Sequence, residues 1–129
     1  MTPELLSALI LIALLLVKHL FADFFLQTGR MLINRGQYLH FGRVQHAAVH
    51  AGLSAICFIL VGAPIKFVIL ICLAEGVLHF HIDWLKGRHA DHTGYTPTDA
   101  GYWRAFGIDQ LAHQLTYVAM VAAPVYLAG

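Results

Sequence analysis

The stretch LLSALILIALLLVKHLFADFFL, residues 5–26, is apolar throughout except at Ser7, Lys18, His19 and Asp23. As a helix it is roughly 33 Å long, about the thickness of the hydrocarbon core of a bilayer. It reads as a membrane span whose polar residues gather at one end. His19 and Asp23 are four positions apart and share a helix face, and Gln27 continues that stripe one turn further.

The rest of the chain has the same character. Of its 129 residues 59% are hydrophobic and 12% charged, and the formal net charge is +1. A soluble domain of this size would carry more charge. Three further apolar segments, 44–61, 65–86 and 104–127, are separated by the breaks at Thr28-Gly29, at Gly62, Ala63 and Pro64, and by the polar stretch 87–103. The expectation is an all-α polytopic membrane protein. It would form a single domain over residues 1–129, with four transmembrane helices at about 5–26, 44–61, 65–86 and 104–127 in an antiparallel bundle. No basic stretch or small-residue cleavage pattern marks the first segment as a signal peptide, so it is expected to stay.

Basic residues give the orientation. Arg30, Arg35 and Arg43 lie in or beside the first connection, and Lys86, Arg88 and Arg104 in or beside the third, with Lys18 read as snorkelling to the same side. Lys66 alone falls on the opposite face. Both of those connections are therefore expected on the cytoplasmic side, with both termini outside. Trp84, Tyr95, Tyr102 and Trp103 cluster at the same boundary, as interfacial aromatics do.

Every segment repeats the i, i+4 polar pair of the first. His46 and His50 stand in the second, His79 and Asp83 in the third, Asp109 and His113 in the fourth. Measured inward from the cytoplasmic ends, His19, His50, His79 and His113 lie roughly 10 Å deep, and Asp23, His46, Asp83 and Asp109 roughly 5 Å deep. That predicts a ring of four imidazoles beneath a ring of three carboxylates and one imidazole, all facing the bundle axis. An ionisable group inside a span costs on the order of 3 kcal/mol, so such residues face inward and mark a function.

Imidazole and carboxylate in a shielded site are ligands for a divalent metal such as zinc, manganese or iron. The expected ligand pool is His19, Asp23, His46, His50, His79, Asp83, Asp109 and His113. Gln27, Gln45, Glu75, Lys86 and Gln110 are expected as hydrogen-bond partners that orient it. A metal-bound water with its pKa lowered toward neutrality would make the site hydrolase-like. Two other readings remain open: a proton- or ion-coupled transporter subunit, which would require a homo-oligomer, and a structural or regulatory membrane protein whose cluster is interhelical hydrogen-bond glue. His40, His89 and His92 read as solvated, and His81 is out of phase with the His79/Asp83 stripe. Cys57 and Cys72 read as small buried hydrophobes, while Ala47, Ala51 and Ala55 give the second helix a small face for close packing.

The run HLFADFFLQT (19–28), the pair His46/His50, EGVLHFHIDWLKGR (75–88) and FGIDQLAHQ (106–114) together resemble the bacterial integral-membrane family of domain of unknown function 3307. The resemblance spans nearly the whole chain. It implies a small protein of the bacterial inner membrane and carries no established activity. In site type alone, the cluster is also similar to membrane-bound metal-dependent hydrolases. The lipid bilayer is the expected partner. Nucleic acid is not, because the basic residues are spread over two connections rather than forming a patch interleaved with aromatics.

Overall fold

The structure, a computed structural model, describes residues 1–127, with side chains to Pro124. Its regular elements are helices: α1 (Pro3–Phe24), the single turn α2 (Gly29–Leu32), α3 (Phe41–Leu60), α4 (Ile65–Thr93) and α5 (Ala100–Leu127). Helix α1 starts where Thr2 can cap it, its hydroxyl oxygen accepting the Leu5 N–H at 3.3 Å, with Pro3 in the first turn. Gly62 and Gly94 take left-handed φ values of 79° and 64° at the ends of α3 and α4. Before α5, the Asp99 carboxylate accepts the backbone N–H and the hydroxyl of Thr96 at 2.8 and 2.9 Å, which holds its carboxyl below the usual range.

Around the bundle α1 touches α3, α3 touches α4, α4 touches α5, and α5 returns to α1. Leu11, Leu15, Cys57, Phe58, Val68, Cys72, Tyr117 and Met120 pack together as the apolar core. Lys18, Arg43, Glu75, Asp109 and five histidines are buried as well. Large apolar side chains such as Leu9, Val17, Leu73, Leu78 and Ile108 face outward. This inversion, greasy outside and polar within, is compatible with insertion into a membrane.

Three helices are long and apolar enough to cross a membrane, Pro3–Phe24, Phe41–Leu60 and Ile65–Thr93. The expected count was four. Helix α5 has the length, with 28 residues, but Asp109, Gln110, His113 and Gln114 dilute its apolar character. Helix boundaries shift too. Helix α4 runs past Lys86 to Thr93, because polar residues end an apolar run without breaking a helix, and the first residue that does is Gly94. His89 and His92 thus stand on α4, not in a connection.

The first connection folds back over the bundle end. Arg43, expected as a topological marker, is buried and donates from Nη1 to the carbonyls of Gln37 and Tyr38 at 2.6 and 3.1 Å. Tyr38 hydrogen-bonds His81 Nε2 at 3.0 Å and sets its ring edge-on to Trp84. A Cβ on Gly87 would overlap the Arg35 backbone, so only glycine lets the connection lie against α4 here. Removing the guanidinium in Arg43→Ala is expected to cost about 2 kcal/mol through these two charge-assisted bonds. Thermal unfolding in detergent measures that loss, and faster trypsin cleavage at Arg35 would report the freed connection.

Candidate functional site

The i, i+4 stripes of α1, α3, α4 and α5 converge on the bundle axis and build three stacked polar layers. In the middle layer four imidazoles form a closed ring. Centroids are 5.2 Å apart for His19–His50, 3.8 Å for His50–His79, 4.2 Å for His79–His113 and 5.2 Å for His113–His19. The diagonals are 6.4 and 6.5 Å. One histidine comes from each helix, as the common depth predicts.

Above the ring lie the carboxylates. Asp23 gathers three imidazoles, with Oδ1 at 2.9 Å from His50 Nε2 and 3.2 Å from His46 Nε2, and Oδ2 at 3.2 Å from His19 Nε2. Asp83 gathers another three, with Oδ2 at 3.3 Å from His79 and 3.5 Å from His46, and Oδ1 at 3.4 Å from His113. Asp109 meets one imidazole, its Oδ1 lying 3.5 Å from His113 Nε2, and accepts from Lys86 Nζ at 2.6 Å and from Gln110 at 3.3 Å. Above this layer a cavity of about 470 Å³ opens, with Asp23, His46 and Asp83 in its lining and Gln27, Arg35 and Lys86 on its walls.

The third layer was legible only in part. Glu75 was expected as a partner one turn beneath His79, but its own partner is Lys18, at 2.6 Å and almost fully buried. Lys18 therefore does not snorkel to the cytoplasmic boundary. Its ammonium turns inward, donating also to the His50 carbonyl at 3.2 Å and lying 4.6 Å from the Tyr117 ring centroid. The Tyr117 hydroxyl meets His19 Nδ1 at 2.8 Å. Tyr117 stands four residues after His113 and Ser54 four after His50, so extending each stripe by one turn would have found both.

Not every candidate stands in the same place. Two groups bring their donor atoms within 4.8 Å of one another: Asp23, His46, His50 and His79, and then His79, Asp83 and His113. His19 is in neither, its ring nitrogens being engaged by Tyr117 and by Gln110 at 3.2 Å. Asp109 is in neither as well. Gln45 is half-buried on α3 and makes no side-chain hydrogen bond to the cluster among the described residues.

Ordinary hydrogen-bond glue would satisfy its members, and this cluster does not. His79 is 2% exposed, and both of its ring nitrogens lack a hydrogen-bond partner. His46 Nδ1, His113 Nε2 and Asp109 Oδ1 are likewise buried without one. His79 and His113 approach Asp83 within 3.3 and 3.4 Å, yet without the alignment of a hydrogen bond. An unmet buried group costs about 1–3 kcal/mol, so several together are expensive unless something else fills them.

The family described as "Protein of unknown function" (DUF3307) matches residues 10–128. The chain belongs to the DUF3307 family. No curated protein and no solved structure matches it. Within this DUF3307 chain the matched region contains all three polar layers. Lys18→Met strands the Glu75 carboxylate and is expected to destabilise by about 3–5 kcal/mol, whereas Lys18→Met with Glu75→Leu removes both charges and recovers most of the loss. Denaturant unfolding in detergent of the two variants beside the wild type checks both expectations.

Proposed function

We propose that the chain is an antiparallel helical bundle of the bacterial inner membrane that holds a divalent metal in its His/Asp cluster and acts as a hydrolase-like enzyme. The observation that carries this reading is His79, an almost fully buried imidazole with no hydrogen-bond partner, standing where the two donor groups overlap. Spacing supports it. Ligands at about 2.0–2.1 Å from a tetrahedral zinc are about 3.3 Å from one another, and Asp83 and Asp23 meet their imidazoles at 2.9 to 3.5 Å.

The second group, His79, Asp83 and His113, is of the two-imidazole, one-carboxylate kind that leaves a coordination position free, as catalytic zinc sites do. Asp83 also lines the 470 Å³ cavity, which puts water and substrate within reach. A bound divalent ion would supply Lewis acidity and a water with lowered pKa. The protein's part is to fix the donors: Lys18 beneath the ring holds His50, and His19, itself held by Tyr117 and Gln110 outside both donor groups, lies beside the His50 ring. Beyond the Lys18–Glu75 pair, Leu11, Leu15, Phe58 and Met120 close the bundle with apolar packing, which favours a site over a through-path for ions.

Topology in this reading follows from the stripes. In α1 and α4 the imidazole precedes the outer-layer residue, whereas in α3 and α5 it follows, as alternating helix directions require. Lys18, Arg43 and Lys86 are engaged inside the fold and no longer count toward orientation, but Arg30, Arg35, Arg88 and Arg104 support a cavity on the cytoplasmic side. The partner is the bilayer, with no role for nucleic acid, and a second copy of the chain is not needed to complete the site.

Elemental analysis of detergent-purified protein tests the proposal. Wild type and His89→Ala are expected to hold near-stoichiometric metal, and His79→Ala with Asp83→Ala to lose it. Metal missing from all three after reconstitution with zinc, manganese and iron would overturn the reading.

A further inference from the structure

Two voids of opposite character meet at Lys86. The first is the cavity above the cluster, where Lys86 and Arg35 share a wall. Lys86 is tied to Asp109 at 2.6 Å, while Arg35 is in no ion pair among the described residues. The second is a mostly apolar groove of about 290 Å³ between α4 and α5, lined by Ile82, Leu85, Ala105, Ile108 and Ala112, with Lys86, His89 and Asp109 as its polar members. Leu85 and Ile108 are 59% and 69% exposed, so the groove is open to the surrounding lipid. Ala105 and Ala112 are what keep it open, since larger side chains there would fill it.

We infer that the site takes an anionic amphiphile from the bilayer, a lipid with a phosphate head group, whose chain lies in the α4/α5 groove and whose head lies in the cavity against Arg35 and Lys86. A soluble anion would use the cavity and leave the groove without purpose; an uncharged lipid would use the groove and leave the unpaired Arg35 without one. Arg35 suits phosphate because its planar donors engage two oxygens together. Asp23 and Asp83 in the cavity lining, and Asp91 beside them, oppose an anion, so Arg35 and the groove supply the binding and a divalent ion that offsets those carboxylates would tighten it. The inference rests on the metal-site reading for the chemistry that follows binding, but the groove and Arg35 can be tested apart from it.

Native mass spectrometry of the detergent-solubilised chain supplies the test, with dioleoyl phosphatidic acid, dioleoylglycerol and glycerol 3-phosphate as separate probes. Phosphatidic acid is expected to bind at least about tenfold more tightly than either half alone, and Arg35→Ala to weaken it by about tenfold, the scale of one charge-assisted contact. Ala112→Phe is expected to abolish lipid binding while metal content and helical circular dichroism stay at wild-type levels, and Ala105→Phe repeats the block at the other end of the groove. Glycerol 3-phosphate binding as tightly as the lipid would overturn the inference in favour of a soluble anion. Lipid binding that survives both groove-filling variants would overturn it too. Should the chain hold no metal while phosphatidic acid binding still depends on Arg35 and Ala112, the metal reading fails and the amphiphile site stands.

Discussion

Ionisable side chains cannot face hydrocarbon, and the rest of the structure follows from that constraint. Each of α1, α3, α4 and α5 carries one polar stripe, and only one rotation of each helix hides all four. Matching depths then set the axial register, because a helix displaced by one turn would seat its imidazole against the Lys18–Glu75 layer or the carboxylates. Apolar packing among Leu15, Phe58, Val68 and Met120 fills the other half of the bundle. It supplies close contact, but in lipid it has little power to choose one rotation over another.

Polarity inside a membrane protein is stable only when its members satisfy one another, and here the three layers differ. The deepest is a buried ion pair with Tyr117 and a backbone carbonyl around it. The ring and the carboxylates above it keep several donors and acceptors unmet around His79. The lower layer also keeps Glu75 Oε2 and Ser54 Oγ without partners, but its charges are paired, whereas in the upper two the donor atoms of His79, Asp83 and His113 lie within 4.8 Å of one another. The cavity over them, floored by Asp23 and Asp83 and walled by the folded-back first connection, joins those layers to the outside. Arg43 and Gly87 hold that wall in place, so residues distant from the cluster decide what can reach it.

Much of this was legible in the residues themselves. Four i, i+4 pairs at common depth announced a shared site, and the imidazole ring stands where that depth put it. What misled was treating single residues by type. Lys18 looked like a snorkelling lysine because it lies near a helix end, but it sits one position before His19, on the inward side, where Glu75 offers a partner. Arg43 looked like a topological marker and is a structural donor to Gln37 and Tyr38, while Lys86, expected both as a marker and as a partner of the cluster, donates to Asp109. The apolar content that marks three helices as spans fails for α5, since Asp109, Gln110, His113 and Gln114 fall within it.

By itself the sequence determined the apolar character of the helices, the helical class, the residues that would meet and their order in depth, because hydropathy and a 3.6-residue period are properties of one helix at a time. Only the tertiary structure decided which neighbours each polar group takes: Asp23 with three imidazoles, His79 between His50 and Asp83 without a hydrogen bond, Lys18 with Glu75, and Lys86 at the junction of a polar cavity and an apolar groove. Those choices depend on ångström-scale distances between different helices. Periodicity along a single chain carries no such distances.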